Sequence, residues 1–204
     1  MHLLGQSVLG IAILCLLGLL VAVKQTSTGA ILDKPKGNLL VQLVNTFNLL
    51  FLLVINPLSA ILLIAERLPS SDPTHMTIHA GWLETAVEIV GLVLVLMGYF
   101  VMAWALSTLR HNYQLGGSTP RPDDRMVVAG PYRLIRHPMY GAALSIALGM
   151  ALLIQSGAFV GVFVIYVALI IPLIFMEETA LQKVYDGQYS EYQHKTRKLI
   201  PFVY

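Results

Sequence analysis

The chain has 204 residues, 56% of them hydrophobic and 12% charged, with a formal net charge of +2. An ordinary soluble domain carries about 25% charged residues, so this composition, with a mean hydropathy of +0.72, excludes a soluble globular domain and a disordered chain. Scattered cations exclude a nucleic-acid surface, and the lone Cys15 excludes an internal disulfide or a Cys-x-x-Cys metal site.

The first apolar run, Leu3 to Val23, is long enough as a helix to cross a hydrocarbon core of ~30 Å. No Lys or Arg precedes it, so it is expected to be a span and not a cleaved signal peptide. The second run, Leu39 to Ala65, contains Pro57, which is expected to kink or break its helix. Gln42, Asn45 and Asn48 roughly share a face of that helix, and interhelical packing is the expected use of this polar stripe ahead of substrate contact. The third run extends from about Trp82 to Leu109 and carries Glu84 and Glu88 near its start, acids expected to face inward.

The fourth run, Met139 to Ser156, and the fifth, Ala158 to Met176, are separated only by Gln155 to Gly157. That linker predicts a tight antiparallel helical hairpin. Gly141, Ser145 and Gly149 share one face, as do Gly157 and Gly161 on the next helix, and this spacing predicts close approach of the hairpin's two helices. Beyond Glu177 and Glu178 the helix is expected to continue as an amphipathic tail, with Leu181, Val184, Tyr185, Gln188 and Tyr192 forming one stripe. The expected fold class is therefore an all-α integral membrane protein of about five transmembrane helices, with a C-terminal helical hairpin and an amphipathic tail helix.

Five spans place twelve of the 13 Lys and Arg residues on one side, Arg67 being the exception. The positive-inside rule then puts the N-terminus outside and the C-terminus in the cytoplasm. Two polar segments return to that face: the loop Arg110 to His137, with Gly116, Gly117, Pro120 and Pro122, and the tail from Glu177. Long loops rich in Arg, His and Tyr are frequent sites of function.

The ordered set Gly130-Pro131-Tyr132, Arg136-His137-Pro138-Met139-Tyr140, hairpin, Glu177-Glu178 and Tyr189-Ser190-Glu191-Tyr192 resembles the isoprenylcysteine carboxyl methyltransferase family. That family is grouped with the phospholipid N-methyltransferases among integral membrane methyltransferases. The resemblance covers roughly the C-terminal half of the chain. It implies S-adenosylmethionine as cofactor, held by Asp124, Arg125, Met126, Val127, Tyr132, His137, Pro138, Met139, Tyr140, Glu177 and Glu178, with no metal. It divides the chain into an N-terminal pair of spans, 1–80, on the lipid-substrate side and a methyltransferase core, 81–204. The implied acceptor is a lipophilic small molecule or lipid-modified substrate drawn from the membrane, with no nucleic-acid partner. A prokaryotic plasma membrane is the expected location ahead of the endoplasmic reticulum.

Two positions depart from the family pattern, the first being Ala142, two residues after the motif Tyr140, where some members carry Gly. Carboxyl methyltransferases commonly carry Arg four residues before the first Glu, and here that residue is Leu173. A phospholipid amine or a thiol therefore stays open as acceptor beside a prenylcysteine carboxylate. No residue is assigned as catalytic base. Two further alternatives are an NADPH-dependent membrane reductase and a transporter or assembly factor without chemistry. The sequence shows no inverted repeat of the kind transporters carry.

Overall fold

A computed structural model of the chain describes residues 5–32, 37–78, 80–114 and 125–199. Gly116, Gly117, Pro120, Pro122 and Asp124 lie outside the described residues. Those described are almost wholly helical, with two isolated bridges and no strand among them. Four helical spans are long and apolar enough to cross a membrane, and a fifth apolar helix of 17 residues completes the set. The chain is an integral membrane protein, as its composition requires.

Helix α1 (Gln6–Thr28) packs mainly on α3 (Asn56–Ile64) and α5 (Gly81–Leu109). The tightest point with α3 is Gly10, where an added Cβ would stand 2.5 Å from the Ala60 carbonyl oxygen. Helix α2 (Leu39–Leu50) starts at Asn38, whose side chain accepts from the Val41 amide at 3.0 Å, and leans on α7 (Gly157–Lys195). A short turn, α4 (Leu68–Ser71), follows α3, and α6 (Pro138–Ile154) lies against α5.

Pro57 does not break its span. A π-helical segment, Phe51–Ile55, joins α2 to α3, and the chain stays helical from Leu39 to Ile64. Proline removes an N–H and collides with the carbonyl one turn back. The wider π turn relieves both problems, a known use of single π turns. The Asn56 side chain adds a donor, giving a 3.0 Å bond to the Phe51 carbonyl.

The hairpin between α6 and α7 forms as the short linker predicts. Gln155 takes the left-handed conformation (φ 54, ψ 49) that ends α6, and Ser156 caps α7 through the Phe159 amide. The segment before α5 buttresses this turn: Met76 N–H donates to Gln155 O at 2.7 Å and Gly157 N–H to Thr74 O at 3.0 Å.

The small residues of α6 serve a different neighbour from the one expected. Gly149 abuts Gly91 of α5, where an added Cβ would lie 2.7 Å from the Gly91 oxygen. Gly98 meets Ala142 and Ile146 in the same way. The close approach is therefore between α5 and α6. On α7, Gly161 has open space around it.

Helix α7 passes through Pro172 and runs on to Lys195, with a kink at Asp186 (φ 41, ψ −116). Leu181, Tyr185, Tyr189 and Tyr192 face inward as one row, while Val184 is 48% exposed and Gln188 is exposed. The expected stripe is thus correct at Leu181, Tyr185 and Tyr192 and wrong at Val184 and Gln188.

Candidate functional site

The tail folds back beneath the start of α6. Arg136 N–H donates to Arg197 O at 2.7 Å and His137 N–H to Lys198 O at 3.0 Å, so residues 135–137 and 197–198 run side by side. Pro138 then opens α6, a position where its missing N–H costs nothing. His137 and Tyr140, three residues apart, stack with ring centroids 5.6 Å apart at 18°.

Glu177 and Glu178 follow the last apolar residue of the α7 span, Met176. Neighbouring residues on an α-helix point about 100° apart, and the two acids do different things. Glu177 turns toward α6: the Tyr140 hydroxyl donates to its Oε2 at 2.7 Å, and His137 Nδ1 lies 4.0 Å from the same oxygen. Glu178 turns under the loop. Arg136 Nε donates to its Oε1 at 2.7 Å, His137 Nε2 lies at 3.3 Å, and Lys198 Nζ is 3.5 Å from Oε2.

Arg136 reaches the tail as well as Glu178. Its Nη1 donates to Thr196 O at 2.7 Å and Gln193 O at 3.2 Å. This guanidinium staples the end of α7 to the mouth of α6. Burial acts to raise the Glu178 pKa, but the bonds from His137 and Arg136 outweigh it and hold the carboxyl at about 2. Tyr132 sits in a 3₁₀ turn, Gly130–Arg133, and its carbonyl accepts from the Tyr192 hydroxyl at 2.6 Å. Burial first, then the Glu177 charge, push the Tyr132 phenol well above its usual range, so it remains a neutral aromatic face.

These residues wall a cavity of about 290 Å³. Of the positions singled out from the sequence, Arg125, Met126, Val127, Tyr132, His137, Pro138, Met139, Tyr140 and Glu177 line it. Glu178 does not line it and instead supports His137 from behind. The cavity also runs between α1 and α2, past Leu17, Leu20, Leu49 and Leu52. Asn45 and Asn48 line this part, so the polar stripe of α2 does face the cavity. Asn48 also accepts from the Tyr166 hydroxyl, so it joins helices α2 and α7 at the same time.

Lys24, Tyr113 and Tyr166 line it without belonging to any motif that sequence alone would flag, and Arg136, which opens the Arg-His-Pro-x-Tyr motif, lines it without having been assigned a role. Tyr189 belongs to the tail motif but had no assigned role. It lines the cavity, and its hydroxyl is buried without a hydrogen-bond partner among the described residues. Among the same residues no group of His, Cys, Asp and Glu is arranged to hold a metal.

The donor set suits an adenosyl sulfonium. Met126, Val127 and Met139 add apolar side chains to the lining that Tyr132 shares. An ionised carboxylate has about four lone-pair sites, and Tyr140 takes one of those on Glu177, leaving acceptors for a ribose diol. Stacked aromatic faces and an anion favour a sulfonium.

Comparison with known proteins places this arrangement. A family model described as phospholipid methyltransferase matches residues 87–188, from the first turns of α5 to just past the α7 kink. Protein-S-isoprenylcysteine O-methyltransferase of Saccharomyces cerevisiae is 27% identical over 117 residues, covering 56% of this chain and 49% of that protein. The chain thus spans about half the length of this curated relative. Among solved structures, the eukaryotic intramembrane Ras methyltransferase ICMT (isoprenylcysteine carboxyl methyltransferase) superposes with a TM-score of 0.54 at 17% identity, covering 92% of this chain and 74% of that one. At that identity the likeness shows a shared fold.

Proposed function

The chain belongs to the phospholipid methyltransferase family, and from that premise we propose that it transfers a methyl group from S-adenosylmethionine to a lipophilic acceptor at the cytoplasmic face of the membrane. The observation that carries the reading is one cavity with two unlike ends. A polar, aromatic and acidic end lies at Tyr132, His137, Tyr140 and Glu177. An apolar end lies between α1 and α2. A water-soluble donor and a membrane-soluble acceptor would enter such a cavity from different phases.

The sulfonium supplies an activated methyl group, and the protein's task is mainly to hold two reactants in line. Tyr140 fixes the Glu177 carboxylate through its 2.7 Å bond, so the acid stays aimed at the cavity. Glu178 and Arg136 hold His137 and the start of α6 in place. Leu17, Leu20, Leu49 and Leu52 exclude water from the acceptor end. Arg125, Met126 and Val127, which line the same cavity, would help to hold the adenosyl group.

The test is calorimetry of detergent-purified protein with S-adenosylhomocysteine, beside NADPH as the cofactor of the reductase alternative. Micromolar binding of S-adenosylhomocysteine, weakened about tenfold or more in Glu177→Ala with melting temperature preserved, is the expected result. Folded protein that ignores S-adenosylhomocysteine and binds NADPH would sink the reading.

A further inference from the structure

Three of the tyrosines that line the cavity spend their hydroxyls on the protein itself. Tyr140 donates to Glu177, Tyr166 to Asn48 and Tyr192 to the Tyr132 carbonyl. Tyr189 does not. It is 1% exposed and lines the cavity, and its hydroxyl has no hydrogen-bond partner among the described residues. A buried hydroxyl without a partner is destabilising, and a ligand that supplies the missing bond explains why one is kept. Burial first, then the Glu178 charge, push the Tyr189 phenol above its usual range, so the proton stays on the oxygen and the group is a neutral donor.

Arg136 brings a second unused donor to the same cavity. Its bonds to Glu178, Gln193 and Thr196 run through Nε and Nη1, and Nη2 has no partner among the described residues. Gln193, whose carbonyl Arg136 reaches, lies one turn beyond Tyr189 on α7, and the two side chains stand within electrostatic reach of each other. Glu178 does not draw on the guanidinium alone, because Lys198 Nζ is 3.5 Å from its other oxygen. Arg136 therefore keeps attraction for a second anion.

A hydroxyl donor and a guanidinium with a spare arm are complementary to an anionic oxygen. In S-adenosylmethionine the amino-acid carboxylate is the one anionic group. The ammonium, the sulfonium and the ribose hydroxyls suit Glu177 instead. We propose that Tyr189 binds the methyl donor directly: its hydroxyl, with Arg136, receives the amino-acid carboxylate and so selects donors that carry that arm. This rests on the methyl-transfer reading and deepens it. A donor held by an acid at one point and by a guanidinium at another can lie in one direction only, as in-line transfer requires.

Calorimetry tests this with S-adenosylhomocysteine and its decarboxylated analogue, which keeps the adenosine, the thioether and the amine, on wild type, Tyr189→Phe and Tyr99→Phe. Tyr99 of α5 is the control: its hydroxyl is also buried without a partner among the described residues, but it does not line the cavity. Wild type should prefer S-adenosylhomocysteine to the analogue by about tenfold or more. Tyr189→Phe should weaken S-adenosylhomocysteine binding about tenfold and leave the analogue unchanged, and Tyr99→Phe should alter neither. Ligand-free Tyr189→Phe should melt no lower than wild type, since the lost hydroxyl had no bond to give up. Equal losses for the two ligands, no loss for either, or a wild type without the preference would overturn the proposal and leave the methyl-transfer reading standing. A lower melting temperature with the preference unchanged would reduce Tyr189 to a packing residue. Folded wild type that binds neither ligand would defeat the methyl-transfer reading, and the proposal with it.

Discussion

The Tyr140 hydroxyl and the Glu177 carboxylate meet at 2.7 Å, joining the first turn of α6 to the end of the α7 span. Tyr140 is 9% exposed, so this bond is made where water competes little for either partner. A charge-assisted bond of this kind contributes roughly 1.5–3 kcal/mol. Releasing Glu177 forfeits only part of that energy in binding, so Tyr140→Phe should weaken S-adenosylhomocysteine binding by about three- to tenfold. The double variant with Glu177→Gln should be no worse than Glu177→Gln alone. Calorimetry of the four proteins checks this, and fully additive losses would show that the two residues act separately.

Arg136 and Glu178 form a buried pair whose side chains are 8% and 10% exposed. Removing one member of such a pair leaves the other charge buried, a loss of about 3–5 kcal/mol. Arg136→Met should lower the melting temperature sharply in detergent. Arg136→Lys should recover only a minor part, because one ammonium cannot reach Glu178, Gln193 O and Thr196 O together. Full recovery in the lysine variant would refute the stapling role.

Acid should erode the same contact. The Glu178 carboxyl is held at about 2 in the folded protein, against an ordinary 4.5. A depressed carboxyl pKa stabilises fully above the ordinary value, and that stabilisation is lost as pH falls through the folded value. The gap in melting temperature between wild type and Glu178→Gln should be constant above about pH 5 and shrink steadily from pH 4.5 toward 2. A gap independent of pH would exclude Glu178 as the titrating partner.

Packing between α5 and α6 gives a prediction remote from the site. Gly149→Ala puts a Cβ 2.7 Å from the Gly91 oxygen and 2.8 Å from the Val95 amide, both of them backbone atoms. Overpacking of this kind costs about 1–3 kcal/mol. Gly161→Ala, with nothing within 4 Å, should be neutral or slightly stabilising. Thermal unfolding of the two variants distinguishes them, and equal effects would place the tight contact elsewhere.

The spans were legible because hydrocarbon thickness sets a length that a run of apolar residues either reaches or does not. The hairpin was legible because three residues leave no other path. Tyr132, His137, Tyr140 and Glu177 were found through their order in the chain, and they do meet around one cavity. The partner of Gly149 was not legible: a small-residue face says that something approaches, not which helix. Arg136 was passed over because its partners, Glu178, Gln193 and Thr196, lie far along the chain. The Asp186 kink was hidden for a different reason. Gly187 beside it is the residue that would be expected to take a positive φ, yet Asp186 adopts it.

The crevice between α1 and α2 lies before residue 87, where the family match begins, and most of the proposed donor wall lies after it. The proposed acceptor end of the cavity draws much of its lining from the chain before that boundary. On the proposed reading, grafting the first two spans of one such protein onto the remainder of another should change what is methylated while leaving the methyl source untouched. New acceptors would then arise by exchange at the front of the chain, with no revision of the chemistry encoded behind it.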